Sequence, residues 1–262
     1  MCLILISYEM HPQYRLVIAA NRDEFYERQT RPAQFWKTSP DLLAGKDLRG
    51  GGTWMGITRS GRFGAITNYR EPQNVIKNAP SRGFLVRDFL ETPLPPLDYL
   101  KKNKNAADHY NGFNLIVGTT KDLFYYSNRQ NNIIKILPGI HGLSNHLINT
   151  PWPKVVKGKQ SLWNIVSENV PLDIEKIFTL LKDNNSPPDR LLPNTGVGFQ
   201  WEKILSPIFI TSSTYGTRSS TVLLWDRHGK VKFFERSFIM NGGEFTKAET
   251  REFCFKIQRV FR

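Results

Sequence analysis

Residues 2–20 read CLILISYEMHPQYRLVIAA. Two apolar runs, 2–8 and 15–20, lie on either side of a turn around His11-Pro12. Each is short for a helix and carries β-branched residues, so the pattern predicts two strands. The same reading extends outward. Residues 53–58 (TWMGIT) and 62–67 (RFGAIT) flank Arg59-Ser60-Gly61, a tight hairpin with glycine where positive φ is expected. Further strands are predicted over 112–119, 122–127, 131–137, 207–213, 219–226 and 231–238. Helices are predicted over 81–91 with Ser81 as cap, over 97–108, over 153–167, and over 173–182 with Asp173 as cap. A short terminal helix is predicted near 246–258. Residues 184–200, rich in Pro, Gly and Asn, read as a long loop able to act as a lid or rim. Runs of strands, then helices, then strands argue for an α+β architecture around an antiparallel sheet. No polar flexible stretch separates two self-sufficient halves, so residues 1–262 are expected to form a single domain.

Composition narrows the classes. Hydrophobic residues make up 40% and charged residues 23% of the 262, ordinary globular usage that excludes disordered, collagenous and disulfide-scaffold chains. A chain of this length buries about three-quarters of its unfolded surface. No run approaches the roughly 18 apolar residues of a membrane span, so no transmembrane segment is expected. No basic leader precedes the apolar run 2–8, and only two cysteines, Cys2 and Cys254, are present. Both facts point to a reducing, cytoplasmic setting. The formal charge is +13, from 36 Lys and Arg against 23 Asp and Glu. The basic residues are dispersed, and neither zinc-finger spacing nor an RNP-type aromatic strand is present, so specific nucleic-acid binding is not expected. Attraction of a small anionic ligand remains open beside a merely solvated basic surface.

Cys2 is the most informative position. Removal of Met1 would give it a free α-amine, whose pKa near 7.7–8.0 lets it accept the thiol proton without a histidine. Attack on a carbonyl would then require donors for an oxyanion. The bland alternative is a small apolar residue in an edge strand. A thiol–histidine pair is a further alternative, with His141 and His146 as partners. No His-Glu-x-x-His or Cys-x-x-Cys is present, so no metal site is expected. Polar clusters stand at strand ends: Asn21-Arg22-Asp23-Glu24, Thr67-Asn68-Tyr69-Arg70-Glu71, Ser144-Asn145 and Tyr215-Gly216-Thr217-Arg218. Strand ends are where sites are commonly built, although each cluster also suits a turn. Trp36, Trp54, Trp152 and Trp163 suit either core packing or the walls of an amphiphile pocket.

Taken together, these segments resemble the NRDE family, also called the transport and Golgi organisation protein two family. The resemblance rests on Met1-Cys2, Asn21-Arg22-Asp23-Glu24, Ala44-Gly45-Lys46-Asp47 with Gly51-Gly52-Thr53-Trp54-Met55-Gly56, and Gly61-Arg62-Phe63 through Thr67-Asn68-Tyr69-Arg70-Glu71-Pro72. It continues in Gly142-Leu143-Ser144-Asn145, Pro151-Trp152-Pro153-Lys154 and Tyr215-Gly216-Thr217-Arg218-Ser219-Ser220-Thr221. That family is similar to the cysteine N-terminal-nucleophile hydrolases, the branch of penicillin V acylase and bile-salt hydrolase. The resemblance implies a four-layer α-β-β-α sandwich with two antiparallel sheets between helical layers. It implies Cys2 as nucleophile, Asp23 holding the amine, Asn68 and Asn145 lining the oxyanion site, and Arg218 near the nucleophile. The branch's early arginine falls at Ala20, so that role is absent or taken by Arg22. Arg22, Trp54, Tyr69 and Arg70 become candidates for substrate contact. The implied function is hydrolysis of an amide or thioester through an acyl-Cys2 intermediate, with no cofactor required. The alternative is a non-catalytic carrier of haem or of a lipid or acyl-CoA, a small anionic or amphipathic ligand.

Overall fold

The computed structural model describes residues 2–168, 171–241 and 244–258, the side chains of 240–248 aside. The opening hairpin forms as its pattern predicts: β1 (Cys2–Tyr8) pairs antiparallel with β2 (Tyr14–Phe25) in a register that sets Cys2 against Arg22 and Ile6 against Ile18. These two strands sit inside a six-stranded sheet of order β10-β1-β2-β11-β12-β13. Its other members are β10 (Gly139–Leu143), β11 (Tyr215–Asp226), β12 (Lys230–Asn241) and β13 (Glu244–Lys256). The second sheet runs in chain order through β3 (Thr30–Trp36), β4 (Ser39–Asp47), β5 (Met55–Thr58), β6 (Phe63–Asn68), β7 (Phe113–Gly118), β8 (Leu123–Ser127) and β9 (Asn132–Lys135). All the strand pairings are antiparallel.

Strand alternation sorts the core into three layers of side chains. Ile4, Ile6 and Ile18 of the first sheet meet Leu43, Ile57, Phe63 and Ile116 of the second. On the outer face of the first sheet, Leu3, Leu5, Val17 and Ala19 pack against Val155, Leu162, Ile177 and Phe178. Those four belong to α3 (Pro153–Ser167) and α4 (Ile174–Leu181), whose Asp173 caps its end by accepting from the Glu175 N–H at 2.8 Å. On the outer face of the second sheet, Ala44, Leu115 and Val117 pack against α1 (Gly83–Glu91) and α2 (Pro96–Lys104) through Val86, Phe89, Tyr99 and Leu100. The layer order is therefore α-β-β-α, as the resemblance implied. Both faces of each sheet are covered, which is why 2–8 is apolar throughout rather than alternating.

Three expectations are corrected. Residues 246–258 form most of strand β13, not a helix. Phe253, Phe255 and Ile257 alternate inward against the inter-sheet core, a period of two. Residues 207–213 form no strand. Their backbone is satisfied instead by Asn21 Nδ2 on the Ile208 carbonyl, by the Asp183 carbonyl on Phe209 N–H, and by Thr217 Oγ1 on Ile210 N–H. Ser81 does not cap α1; Arg82 holds that position without a side-chain cap, and Ser81 contributes its carbonyl to Phe84 N–H. The 184–200 loop carries a 3-10 turn at Asp189–Leu191 and leads into a short helix, α5 (Phe199–Ile204). No helix is long and apolar enough to cross a membrane among the described residues.

Candidate active site

The site is built where β1 begins and β2 ends. Residues paired across antiparallel strands project to the same face, so the pairing of Cys2 with Arg22 sends both side chains between the sheets, in line with Ile4, Ile6 and Ala20. Cys2 is a free, half-buried cysteine. Burial pushes the pKa of its thiol up, and the Asp23 carboxylate adds to this; Arg22 and the Asp23 backbone N–H act in the opposite sense. The thiol is therefore protonated at neutral pH and needs a base before it can act as a nucleophile.

A strand's period of two divides the Asn21-Arg22-Asp23-Glu24 tetrapeptide between two faces. Arg22 enters the inter-sheet space, 6% exposed, with its guanidinium carbon 4.3 Å from the centre of the Trp54 ring. Its Nη1 makes no hydrogen bond. Asn21 and Asp23 face the helical layer instead. Asn21 donates to the carbonyls of Leu181 and Ile208 at 2.8 Å each and accepts from Ser220, its cross-strand partner, at 2.6 Å. It is thus a structural tie between β2 and the end of α4. Asp23 accepts from Thr217, its own cross-strand partner, at 2.7 Å. Burial pushes the Asp23 pKa up; Lys154 is the strongest influence holding it down. Glu24 reaches Arg28 at 3.6 Å and Arg22 at 4.0 Å on the rim.

The asparagines arrive from the other side of Cys2. The antiparallel β1–β10 register ends at Ile4 with Leu143; continued two residues, back along β1 and forward beyond β10, it sets Cys2 opposite Asn145. Ser144 Oγ donates to the Cys2 carbonyl at 3.3 Å. Asn145 is fully buried and gives one amide hydrogen to the Asn68 carbonyl at 2.9 Å. Thr67 donates to the Ser144 carbonyl at 2.7 Å, so the end of β6 is stitched to the segment after β10. Asn68 and Asn145 are thereby held together at the same strand ends as Cys2.

Glycines let Trp54 reach Arg22. A Cβ at Gly45 would fall inside the Trp54 indole, and one at Gly52 would collide with the Gly83 backbone at the start of α1. Gly45 and Gly52 therefore serve close packing. A pocket of ≈ 10 Å³ lies against Cys2, lined by Arg22, Trp54, Met55, Ile66 and Thr221 among others. It has room for a group about the size of one water.

The remaining candidates sit further out. Arg218 occupies the bulge between Thr217 and Ser219, and its Nη1 donates to the carbonyls of Phe25, Tyr26 and Arg28 at 2.9–3.2 Å. Its side chain therefore braces the chain leaving β2. Tyr69 bonds His146 Nε2 through its hydroxyl at 2.7 Å. Arg70 forms a buried ion pair with Glu202 at 2.6 Å and lies over Trp152. His146 and His141 are bonded to Thr150 and to the Leu137 carbonyl respectively. Among the described residues, no group of three His, Cys, Asp or Glu could hold a metal ion.

Several site residues escaped the sequence reading. Lys154 is 5% exposed, donates to the Leu205 carbonyl at 2.8 Å, and has its pKa pushed down to about 8 by burial, with Asp23 opposing. Its signal was there: Lys154, Gly158, Leu162 and Val166 recur every four residues along the buried stripe of α3. Thr217 and Ser220 are legible only once the β2–β11 register is known. Glu235, buried and accepting from Ala33 N–H at 2.6 Å, links the two sheets behind Arg22.

The comparisons agree on kinship. The family model described as Transport and Golgi organisation 2 matches residues 1–240. A mouse protein, Transport and Golgi organization 2 homolog, is 37% identical over 278 residues, covering 98% of this chain and 100% of its own length. A fruit-fly protein, Transport and Golgi organization protein 2, is 29% identical, covering 90% of this chain and 92% of its own. Among solved structures, a Caenorhabditis elegans ortholog of N-acylethanolamine-hydrolyzing acid amidase is 12% identical, with TM-score 0.48 over 85% of this chain and 92% of that one. A mutant conjugated bile acid hydrolase from Clostridium perfringens is 9% identical, with TM-score 0.48 over 99% of this chain and 98% of that one. The family match over residues 1–240 and the identity to the mouse protein establish that this chain belongs to the Transport and Golgi organisation 2 family.

Proposed function

We propose that the protein is a cysteine N-terminal-nucleophile hydrolase acting on an amide or thioester through Cys2. One observation carries the reading: a thiol, an arginine with an open Nη1 and the buried Asn145, bonded to the Asn68 carbonyl, meet at the same strand ends, with a buried carboxylate on the adjacent face. Once Met1 is removed, the Cys2 α-amine takes the thiol proton, the base that the raised thiol pKa calls for. Asp23 holds the resulting ammonium. The thiolate adds to the substrate carbonyl carbon, and the negative charge passes to the carbonyl oxygen. Asn145, Asn68 and Arg22 Nη1 supply donors for that oxygen. Collapse breaks the bond to the leaving amine or thiol, which leaves with the proton from the ammonium. Water then adds to the acyl-Cys2 with the amine as base, releasing the acid and restoring the thiol. The pocket against Cys2, ≈ 10 Å³ and lined by Arg22 and Trp54, takes a group no larger than about one water, so the acyl chain lies outside it. Arg218 serves by bracing the chain that carries Arg22 and Asp23. Two free cysteines support a cytoplasmic setting.

The experiment has two parts. Intact mass establishes removal of Met1, and an activated acyl ester then labels the protein. Cys2 is expected to acylate well ahead of the exposed Cys254, with turnover abolished in Cys2→Ser. Preferential labelling of Cys254 would refute the mechanism. A second reading, carriage of haem or an acyl-CoA-like amphiphile, is favoured by the Arg22–Trp54 stack, which offers a cation beside an aromatic face. It requires Cys2→Ala to keep full ligand affinity.

A further inference from the structure

A groove of ≈ 1780 Å³ opens at the end of the sandwich away from Cys2. Arg15, on its lining, lies about 23 Å back along β2 from Arg22, at about 3.3 Å per residue. Strand ends and turns of both sheets form the walls: Trp225 at the end of β11, Lys256 at the end of β13, Asp41 in β4 and Lys121 between β7 and β8. The volume exceeds the roughly 300–1,000 Å³ of a small-ligand pocket.

The charge of this groove is one-sided. Among the described residues its lining carries seven Lys and Arg against three Asp and Glu. Three of the cations are already matched: Arg15 and Arg227 pair with Glu9, and Arg87 with Asp88. Lys46, Arg62, Lys121 and Lys256 form no ion pair among the described residues. Two of the carboxylates are engaged as well, Glu91 by Ser39 and Arg87, Asp226 by the His228 and Lys230 N–H groups. That leaves Asp41 as the groove's one unengaged carboxylate among the described residues. Arg62 is half-buried and donates only to neutral acceptors, the Phe89 and Leu94 carbonyls at 3.0 and 2.7 Å. Burial pushes its pKa down to about 10, so it stays cationic at neutral pH without a counter-ion.

Such a surplus calls for an anion. A bilayer surface cannot follow a groove walled by turns from both sheets. Single-stranded nucleic acid stacks its bases on open aromatic faces. Here both indoles are buried and already carry cations, Lys46 over Trp36 at 4.9 Å and Arg15 over Trp225 at 5.6 Å. An extended peptide matches the length and the mixed lining, in which Pro40, Pro93 and Ile257 offer apolar surface among the cations. We propose that this groove is the docking site for an extended acidic segment of a partner protein, whose carboxylates meet Lys46, Arg62, Lys121 and Lys256. The groove is separate from Cys2, so docking there and hydrolysis stand or fall independently.

Fluorescence anisotropy of the full chain with a fluorescein-labelled peptide tests this. The probe has about twelve residues, glutamate with interspersed leucine, and spans about 40 Å when extended. Micromolar binding that weakens with added salt is expected. Reversal of two groove charges, Lys121→Glu with Lys256→Glu, is expected to weaken binding about tenfold or more, and Asp41→Asn to tighten it about threefold. The control is Lys77→Glu with Lys182→Glu at the opposite end: Lys77 follows β6, and Lys182 follows the Leu181 carbonyl that Asn21 holds. It changes the net charge equally and is expected to alter affinity less than about twofold. All four lysines are exposed, so neither reversal threatens the fold. Equal weakening by the two reversals, no gain in Asp41→Asn, or no binding of the peptide to the wild type overturns the proposal. So does tighter binding of an oligothymidylate or of phosphatidylserine vesicles than of the peptide.

Discussion

Replacing Glu235 by glutamine isolates the electrostatic cost of the inter-sheet interior. Glu235 is 2% exposed, and its Oε1 accepts the Ala33 N–H from the opposite sheet at 2.6 Å. Burial pushes its pKa from 4.5 to about 7; the Ala33 N–H, Arg22 and Arg251 only partly offset this. A raised carboxyl binds its proton more tightly in the folded chain than in the unfolded one. Stability from this position is therefore fully present below pH 4.5 and is lost as pH rises through about 7. At about 1.4 kcal/mol per unit, the shift amounts to about 3 kcal/mol of stability lost between pH 4.5 and 8. Glutamine keeps an oxygen for Ala33 and never ionises. Urea unfolding at pH 5, 6, 7 and 8 should show Glu235→Gln near wild type at pH 5 and about 3 kcal/mol more stable at pH 8. The buried Asp23 and Cys2 and the neutral His141 and His146 titrate in both proteins, so they cancel in the difference. A difference that stays constant across this range would refute the reasoning.

Three further perturbations test other parts of the structure. Asn145→Ala should lower the rate of Cys2 acylation by about 10²–10³, as loss of one oxyanion donor does, while labelling of Cys254 stays unchanged. Glu202→Ala removes the carboxylate of a buried ion pair with Arg70 and should cost about 3–5 kcal/mol in chemical denaturation, whereas breaking the exposed Lys176–Glu168 pair should leave the denaturation midpoint near wild type. Gly45→Ala forces Trp54 off Arg22; tryptophan fluorescence should shift and stability should drop by about 1–3 kcal/mol, an overpacking penalty.

How much of this was legible in the sequence depended on whether a residue's environment repeats along the chain. The β1 and β2 runs and the stripes of α3 and α4 were readable because each element is covered on a long face, so its period is complete. β3 and β4 were not: β3 lies at a sheet edge, and Pro32 and Pro40 interrupt their half-exposed patterns. The terminal strand carried its period in Phe253, Phe255 and Ile257, but the charged residues between them also fit a helical face. Within the site, Cys2 stood out by its place after Met1, whereas the roles of Asp23, Asn68 and Asn145 came from the resemblance, since nothing in the spacing of 2, 23, 68 and 145 brings them together. Register does that, through hydrogen bonds between strands far apart in sequence. Lys154 entered the sequence reading only through the Pro151-Trp152-Pro153-Lys154 segment; the packing of α3 on the first sheet is what buries it and leaves Lys157 exposed.

The first sheet itself explains why the nucleophile proposed above would stand at a strand's first residue. Along β1 and β2, alternate side chains serve different chambers: Arg22 with Trp54 between the sheets, Asp23 with Thr217 and Lys154 beneath the helices. In the middle of a strand the two chambers are separated by a continuous hydrogen-bonded backbone, and no single residue reaches both. At Cys2 that partition ends. Its side chain points between the sheets beside Arg22, while its main chain borders Asp23, whose backbone N–H already bears on the thiol. A nucleophile whose base is its own α-nitrogen needs this location, because the thiol must face the oxyanion donors while the nitrogen faces a carboxylate. One step inward, Leu3 points into the helical layer among Leu5 and Val17, where a thiol would meet only hydrocarbon. The division of charge across the sheet, Arg22 on one side and Asp23 on the other, thus follows from strand alternation and from the β1–β2 register that sets Cys2 against Arg22.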